Sequence, residues 1–295
     1  MSSVLYDAPG PVSLRRQRIG SVVGGLVLVA VLAASVAYAA QQGLLGADRW
    51  DVLYDPPRNQ EAADVWTSIV VRGLGATLQA AAVAAPIALT LGFLLAVWRT
   101  ARSKVARTPA IVVVEVFRGL PVLLMMFFAL LAFGLSAFQS VVFGLVVYNM
   151  AVFAEILRAG LAALPKGQAE AAYAIGLSRT QTLFTILLPQ AVRTMLPSLV
   201  AQLVVLLKDS SLGFIVGYAE LLRSIQLNGQ FFGERYYVAL FAVGATVYLV
   251  VNMSLSWLAR RLNRGPARPN GGTGSTALND AQIAQNTSGG QGTAV

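Results

Sequence analysis

Apolar runs about twenty residues long alternate along the chain with short segments that carry nearly all of its charge. About twenty residues of α-helix cross the roughly 30 Å hydrocarbon core of a bilayer. The pattern predicts six such spans, at about 19–40, 74–98, 111–133, 137–157, 195–216 and 237–258. Hydrophobic residues make up 56% of the 295 and charged residues only 12%. That charge density is about half the usual globular share of roughly 25%. The expected fold class is therefore an all-α, polytopic membrane protein with six transmembrane helices. The first run follows Arg15, Arg16 and Arg18, as a signal peptide's core follows its basic region. Its apolar part is longer than the roughly 7–15 residues of such a core, so it reads as a retained anchor.

Loop charges orient the spans. Arginines precede span one. Between spans one and two, five acids (Asp48, Asp51, Asp55, Glu61, Asp64) outnumber Arg49, Arg58 and Arg72. Arg99, Arg102, Lys104 and Arg107 follow span two with no acid, and the next loop has no charge at all. Arg158, Lys166, Arg179 and Arg193 follow span four, Glu220, Arg223, Glu234 and Arg235 cancel before span six, and Arg260, Arg261, Arg264 and Arg268 follow it. Basic loops alternate with basic-poor ones, which puts both termini in the cytoplasm. The same pattern accounts for the formal charge of +9 without a nucleic-acid partner.

The chain has no cysteine and no histidine. Thiolate metal sites, disulfides and Cys/His nucleophiles are excluded, and neither a catalytic set nor a metal site is expected. Residues 1–18 read as a cytoplasmic segment, 19–40 as the first helix and 41–72 as an extracytoplasmic loop. Residues 263–295, rich in Gly, Ser, Thr, Asn and Gln, read as a disordered cytoplasmic tail.

Between spans four and five lies "EAAYAIGLSRTQTLFTILLP", Glu170 to Pro189. It predicts two short helices. The first, 168–175, is built of good helix formers and is closed by Gly176 in a left-handed conformation. Ser178 with Gln181 forms a capping box that starts the second at Arg179, and Pro189 ends it. The alanines at 169, 171, 172 and 174 make the first helix thin enough to enter a groove of another protein.

Glu170-Ala171-Ala172, Gly176, Ile186 and Leu188-Pro189 stand at the spacing of the cytoplasmic-loop motif of ABC importer permeases. With "VEVFRGLPVLLMMFF", "AEILRAGLAALPKGQAEAAYAIGLS" and "LKDSSL", the chain resembles the polar amino acid branch of that family over about 73–262. Its opening "SVLYDAPGP" and additional first span resemble the second permease subunit of actinobacterial glutamate uptake systems. The resemblance implies a five-helix type I ABC importer core plus one N-terminal helix in a bacterial cell membrane, with the coupling loop at about 159–190. It implies a pathway for a polar amino acid, glutamate first, formed with a second permease subunit, similar or identical. It further implies an ATP-binding homodimer beneath, an extracytoplasmic amino acid-binding protein above, and surrounding membrane lipid. The loop motif would sit in a cleft of the ATPase, which holds the ATP and magnesium. This chain itself would need no cofactor and catalyse nothing, and it lacks a phosphate-binding Gly-x-x-x-x-Gly-Lys-Ser/Thr loop.

Charges within spans are costly, roughly 2.5–3.5 kcal/mol at mid-bilayer. Glu115 with Arg118 and Glu155 with Arg158 are spaced three apart, so each pair can meet on one helical face. They read as an inner gate or polar pathway wall, or alternatively as structural ion pairs. Lys208, Asp209, Ser210 and Ser211 form a polar cluster about 20 Å along span five. Lys208 would attract a substrate carboxylate and Asp209 an ammonium; the other reading is pairing within the protein or with a partner subunit. Pro121 is expected to kink span three, and Tyr148 and Asn149 are weaker pathway candidates. Two rival functions stand beside an ATP-driven importer. A secondary transporter would need internal repeats, and a membrane enzyme would need a catalytic constellation; neither is visible. Uptake of another polar amino acid is the rival within the family.

Overall fold

A computed structural model describes residues 10–262. The tail and the first nine residues lie outside them. Among the described residues all regular structure is helical. Five helices are long and apolar enough to cross a membrane, or six if one bent pair counts as a span. The principal helices, spanning and shorter alike, are numbered α1 (Pro11–Gln41), α2 (Ala62–Trp98), α3 (Lys104–Gly119), α4 (Val122–Ala132), α5 (Ala137–Ala162), α6 (Lys166–Ala174), α7 (Leu188–Asp209), α8 (Leu221–Phe232) and α9 (Tyr237–Leu262).

α5 is the central post. α2, α3, α4 and α7 all pack on it, and Leu145, Ala151, Phe153 and Ala154 are fully buried at its middle. α2 meets it through a stripe that repeats every fourth residue: Ala80, Ala84, Ala88, Gly92 and Ala96 are all buried. Small residues at that spacing let two helix backbones approach closely, which drives packing where lipid supplies no hydrophobic force. Gly92 sets the distance. A Cβ there would lie 2.9 Å from the Met150 carbonyl oxygen and 2.7 Å from Phe153 Cβ. Gly92→Ala is therefore expected to destabilise the bundle by about 1–3 kcal/mol, read as a lowered thermal midpoint of the purified protein in detergent. An unchanged midpoint would mean that the α2–α5 contact is loose.

The structure corrects four expectations. First, span three is not one kinked helix. α3 and α4 are bent by 100°. Pro121 forces the residue before it out of the helical region, and Leu120 and Pro121 are both extended, at ψ 138° and 132°. Second, the helix that carries span two starts well before residue 74. It begins at Ala62 and winds as a π-helix through Thr67–Leu74, so its 37 residues exceed the roughly 20 that cross a bilayer and its first turns project beyond. Third, Pro189 does not end the second loop helix. A π-wound stretch, Thr182–Leu187, leads straight into α7, where Pro189 occupies the first turn. A first-turn residue needs no N–H partner. Fourth, span five reaches residue 216 but is not α-helical throughout: it is α-helix to Asp209 and a tighter 3₁₀ helix over Ser210–Val216.

α1 is exposed along its apolar length, including Val22, Leu26 and Leu32. A second, smaller core gathers Val52, Val65, Ile69, Leu221, Ile225 and Tyr236. It fastens the 41–61 segment and α8 to the projecting end of α2. Asn228 donates to Ser68 Oγ at 2.8 Å across this contact, and Trp66 Nε1 donates to the Leu53 carbonyl at 3.0 Å.

Candidate functional site: a charged network, a groove and an elbow

The two expected ion pairs meet in one network, joined by Arg99 from the loop after span two. Arg99 follows the last residue of α2. Its Nη1 donates to Glu155 Oε2 at 2.8 Å, and its Nη2 lies 3.8 Å from Glu115 Oε1. Arg158 grips the same Glu155 with two bonds, at 2.6 and 3.0 Å. Arg118 bonds Glu115 at 2.8 Å and lies 3.7 Å from Glu155. Glu155 is thus the hub for three guanidiniums from three helical segments. Its side chain is 22% exposed and that of Arg99 only 9%, against 41–47% for Arg118, Arg158 and Glu115. Three arginines against two glutamates leave one net positive charge. A charge directly after a span's end was the available signal for Arg99, but only the fold shows that it turns back into the bundle.

The break between α3 and α4 opens a groove of about 500 Å³, lined by Arg118, Pro121, Tyr148, Asp209 and Leu212 among others. Extended backbone at 120–121 leaves room that a continuous helix would fill. The polar cluster at 208–211 is divided by the helical turn. Asp209 faces the groove. Lys208 is exposed elsewhere, and its carbonyl accepts from Tyr248 Oη and Ser211 Oγ. Ser210 is buried and donates to the Leu207 carbonyl at 2.7 Å. Ser211 lines a separate small cavity with Glu220 and Tyr248. Among the described residues neither Lys208 nor Asp209 forms an ion pair. Asn149 does not reach the groove. It is fully buried and its Oδ1 accepts from Gln202 Nε2 at 2.9 Å, linking α5 to α7.

The elbow between α5 and α7 is held by local bonds. α6 carries Glu170 and Ala171 outward and buries Ala172. Gly176 has φ +84°, and its N–H and that of Leu177 donate to the Tyr173 and Ala172 carbonyls, closing the helix. Ser178 N donates to Gln181 Oε1 at 2.9 Å, and Gln181 N donates back to Ser178 Oγ at 3.3 Å. Ile186 is half-buried, Leu188 is buried and Pro189 is exposed. Tyr173 and Ile175 stand 44% and 77% exposed at the tip, an apolar knob that the helix itself does not cover. The geometry joins the elbow to the groove by one continuous element. The chain runs from Arg179 through the π stretch and α7 to Asp209, and α7 alone is about 33 Å long.

The chain is similar to known proteins over most of its length. Residues 88–268 match the family described as binding-protein-dependent transport system inner membrane component. The glutamate transport system permease protein of Corynebacterium glutamicum is 42% identical over 77% of this chain and 85% of its own. The glutamine transport system permease protein of Escherichia coli K12 is 34% identical over 68% of this chain and 94% of its own. Among solved structures, a crystal structure of an amino acid ABC transporter with histidines superposes with a TM-score of 0.63 at 28% identity, over 69% of this chain and 96% of that one.

Proposed function

Because the chain belongs to the binding-protein-dependent inner membrane component family and is a permease subunit of an amino acid ABC importer, we propose that it moves glutamate and is driven through its elbow by a separate ATPase. The observation that carries this reading is the exposed knob at Tyr173 and Ile175, separated by one short turn from the continuous element that runs from Arg179 to Asp209 in the groove. Glutamate is favoured by the 42% identity to a glutamate permease and by the network's net positive charge beside the groove. Glutamine is the second reading, favoured by the 34% identity to a glutamine permease.

In the proposed cycle the elbow lies in the cytoplasm, as the basic loops at that end require. The knob and the outward Glu170–Ala171 edge sit in a cleft of one ATPase subunit, which holds the ATP and magnesium. Closure of the ATPase pair moves α6. Because Ala172 is buried and the chain beyond Thr182 is continuous helix, α7 moves with it rather than bending. At the far end of α7, Asp209 shifts relative to Arg118 on α3. Arg118 and Asp209 border the groove with opposite charges, which suits a zwitterion: the guanidinium takes a carboxylate and the Asp209 carboxylate takes the ammonium. The hub at Glu155 ties α2, α3 and α5 together on the elbow side of the groove and acts as the inner gate. A second permease subunit completes the pathway, and an extracytoplasmic binding protein delivers the amino acid to the opposite end.

The test is uptake of labelled glutamate by the reconstituted complex with ATP inside vesicles, against unlabelled glutamine, aspartate and lysine as competitors. Glutamate should be taken up and lysine should not compete; preferential glutamine uptake would move the assignment to the second reading. In the same assay Asp209→Asn is expected to lower uptake about tenfold, the effect of roughly 1.4 kcal/mol, with the complex still assembled. Loss of assembly instead would make Asp209 a structural residue.

A further inference from the structure

A cavity of about 450 Å³ lies between the 99–103 turn, the last turn of α5 and the elbow. Its lining combines the basic Arg102 and Arg179 with an apolar floor that includes Leu161, Leu183, Phe184 and Leu187, and Tyr173 of the elbow borders it. Both arginines are exposed and, among the described residues, neither has a carboxylate within 4.0 Å. Phe184 is 45% exposed on the floor. The cavity sits where α2 and α5 end; with the elbow in the cytoplasm, such span ends lie at the headgroup level.

We propose that this cavity holds one anionic phospholipid, its phosphate between Arg102 and Arg179 and its acyl chain along Leu183 and Phe184. Charge complementarity selects the headgroup, since basic pockets between helices on the cytoplasmic side take anionic lipids. The apolar floor selects a lipid over a free anion: a phospholipid offers a phosphate to the arginines and an acyl chain to Leu183 and Phe184 in one molecule. The inference rests on the reading that the elbow faces the cytoplasm and meets the ATPase. Its consequence is regulatory. A lipid there bridges Arg102, three residues beyond Arg99 and its gate, to Arg179 at the start of the element that leads into α7, so headgroup composition sets how firmly elbow and gate move together.

The experiment uses the whole complex in nanodiscs of phosphatidylcholine doped with phosphatidylglycerol. Phosphatidylglycerol retained after extraction is measured by native mass spectrometry. The wild type should keep one molecule per permease chain. Removing each guanidinium, as Arg102→Gln and Arg179→Gln, should weaken retention roughly fivefold, while the corresponding lysine variants keep it. Arg193→Gln, on α7 outside the cavity, should have no effect. Retention unchanged in the double glutamine variant overturns the proposal. So does displacement by millimolar inorganic phosphate, which would reduce the site to a simple anion site. Loss of the ATPase from the double variant with lipid still bound would assign the cavity to the ATPase contact, again overturning it. Failure of the underlying reading looks different: the wild-type chain itself would not co-purify with an ATPase.

Discussion

Glu155→Gln is expected to cut uptake at least tenfold and to destabilise the chain by about 3 kcal/mol. The amide keeps the shape of the carboxylate but loses the charge that three guanidiniums share. Arg99, 9% exposed, is then left with only Glu115 at 3.8 Å, and removing one partner of a buried pair costs about 3–5 kcal/mol. The lower end applies because Glu155 retains 22% exposure. Glu115→Gln is the matched control. It removes the same charge from a side chain 47% exposed, where an ion pair is worth about 1 kcal/mol or less. Uptake into vesicles and the thermal midpoint in detergent should both rank Glu155 well above Glu115. Equal effects from the two would mean that the network has no hub, and the gate assigned to it would fall.

Gly176→Val is expected to uncouple the transporter, with ATP-driven uptake falling tenfold or more while the complex still assembles. At φ +84° a β-branched side chain meets the carbonyl that a glycine avoids, at roughly 1–2 kcal/mol. The chain can relieve that strain by unwinding the last turn of α6, which carries Tyr173, holds Ile175 directly after it and accepts the two closing bonds at the Tyr173 and Ala172 carbonyls. The knob is then displaced although nothing in the bundle has changed. Gly176→Asn should be much milder, because asparagine tolerates the left-handed conformation. The measurement is uptake together with the binding protein's stimulation of ATP hydrolysis. A valine variant that transports normally would show that the tip of α6 carries no force.

The elbow was largely legible because it is built from neighbours. Gly176 closing a helix and Ser178 pairing with Gln181 depend on bonds that span a few residues. Pro189 misled because its local rule, breaking a helix, holds in the interior and not in a first turn. The alanine and glycine stripe of α2 was present in the sequence at strict fourfold spacing, but its composition does not distinguish a packing face from a generally apolar span.

By itself the sequence determined what depends on length, composition and short-range spacing: the helical membrane class, the alternation of basic loops, the transporter family motif and the caps of the elbow. Tertiary structure alone decided which charges meet and where polar residues point. Arg99 and Glu155 are 56 positions apart, and Coulomb attraction depends on distance in space, which close α2–α5 packing sets. The 208–211 cluster was split because successive helical residues point about 100° apart. Adjacency in sequence therefore sent Asp209 to the groove, Ser210 into the core and Lys208 outward.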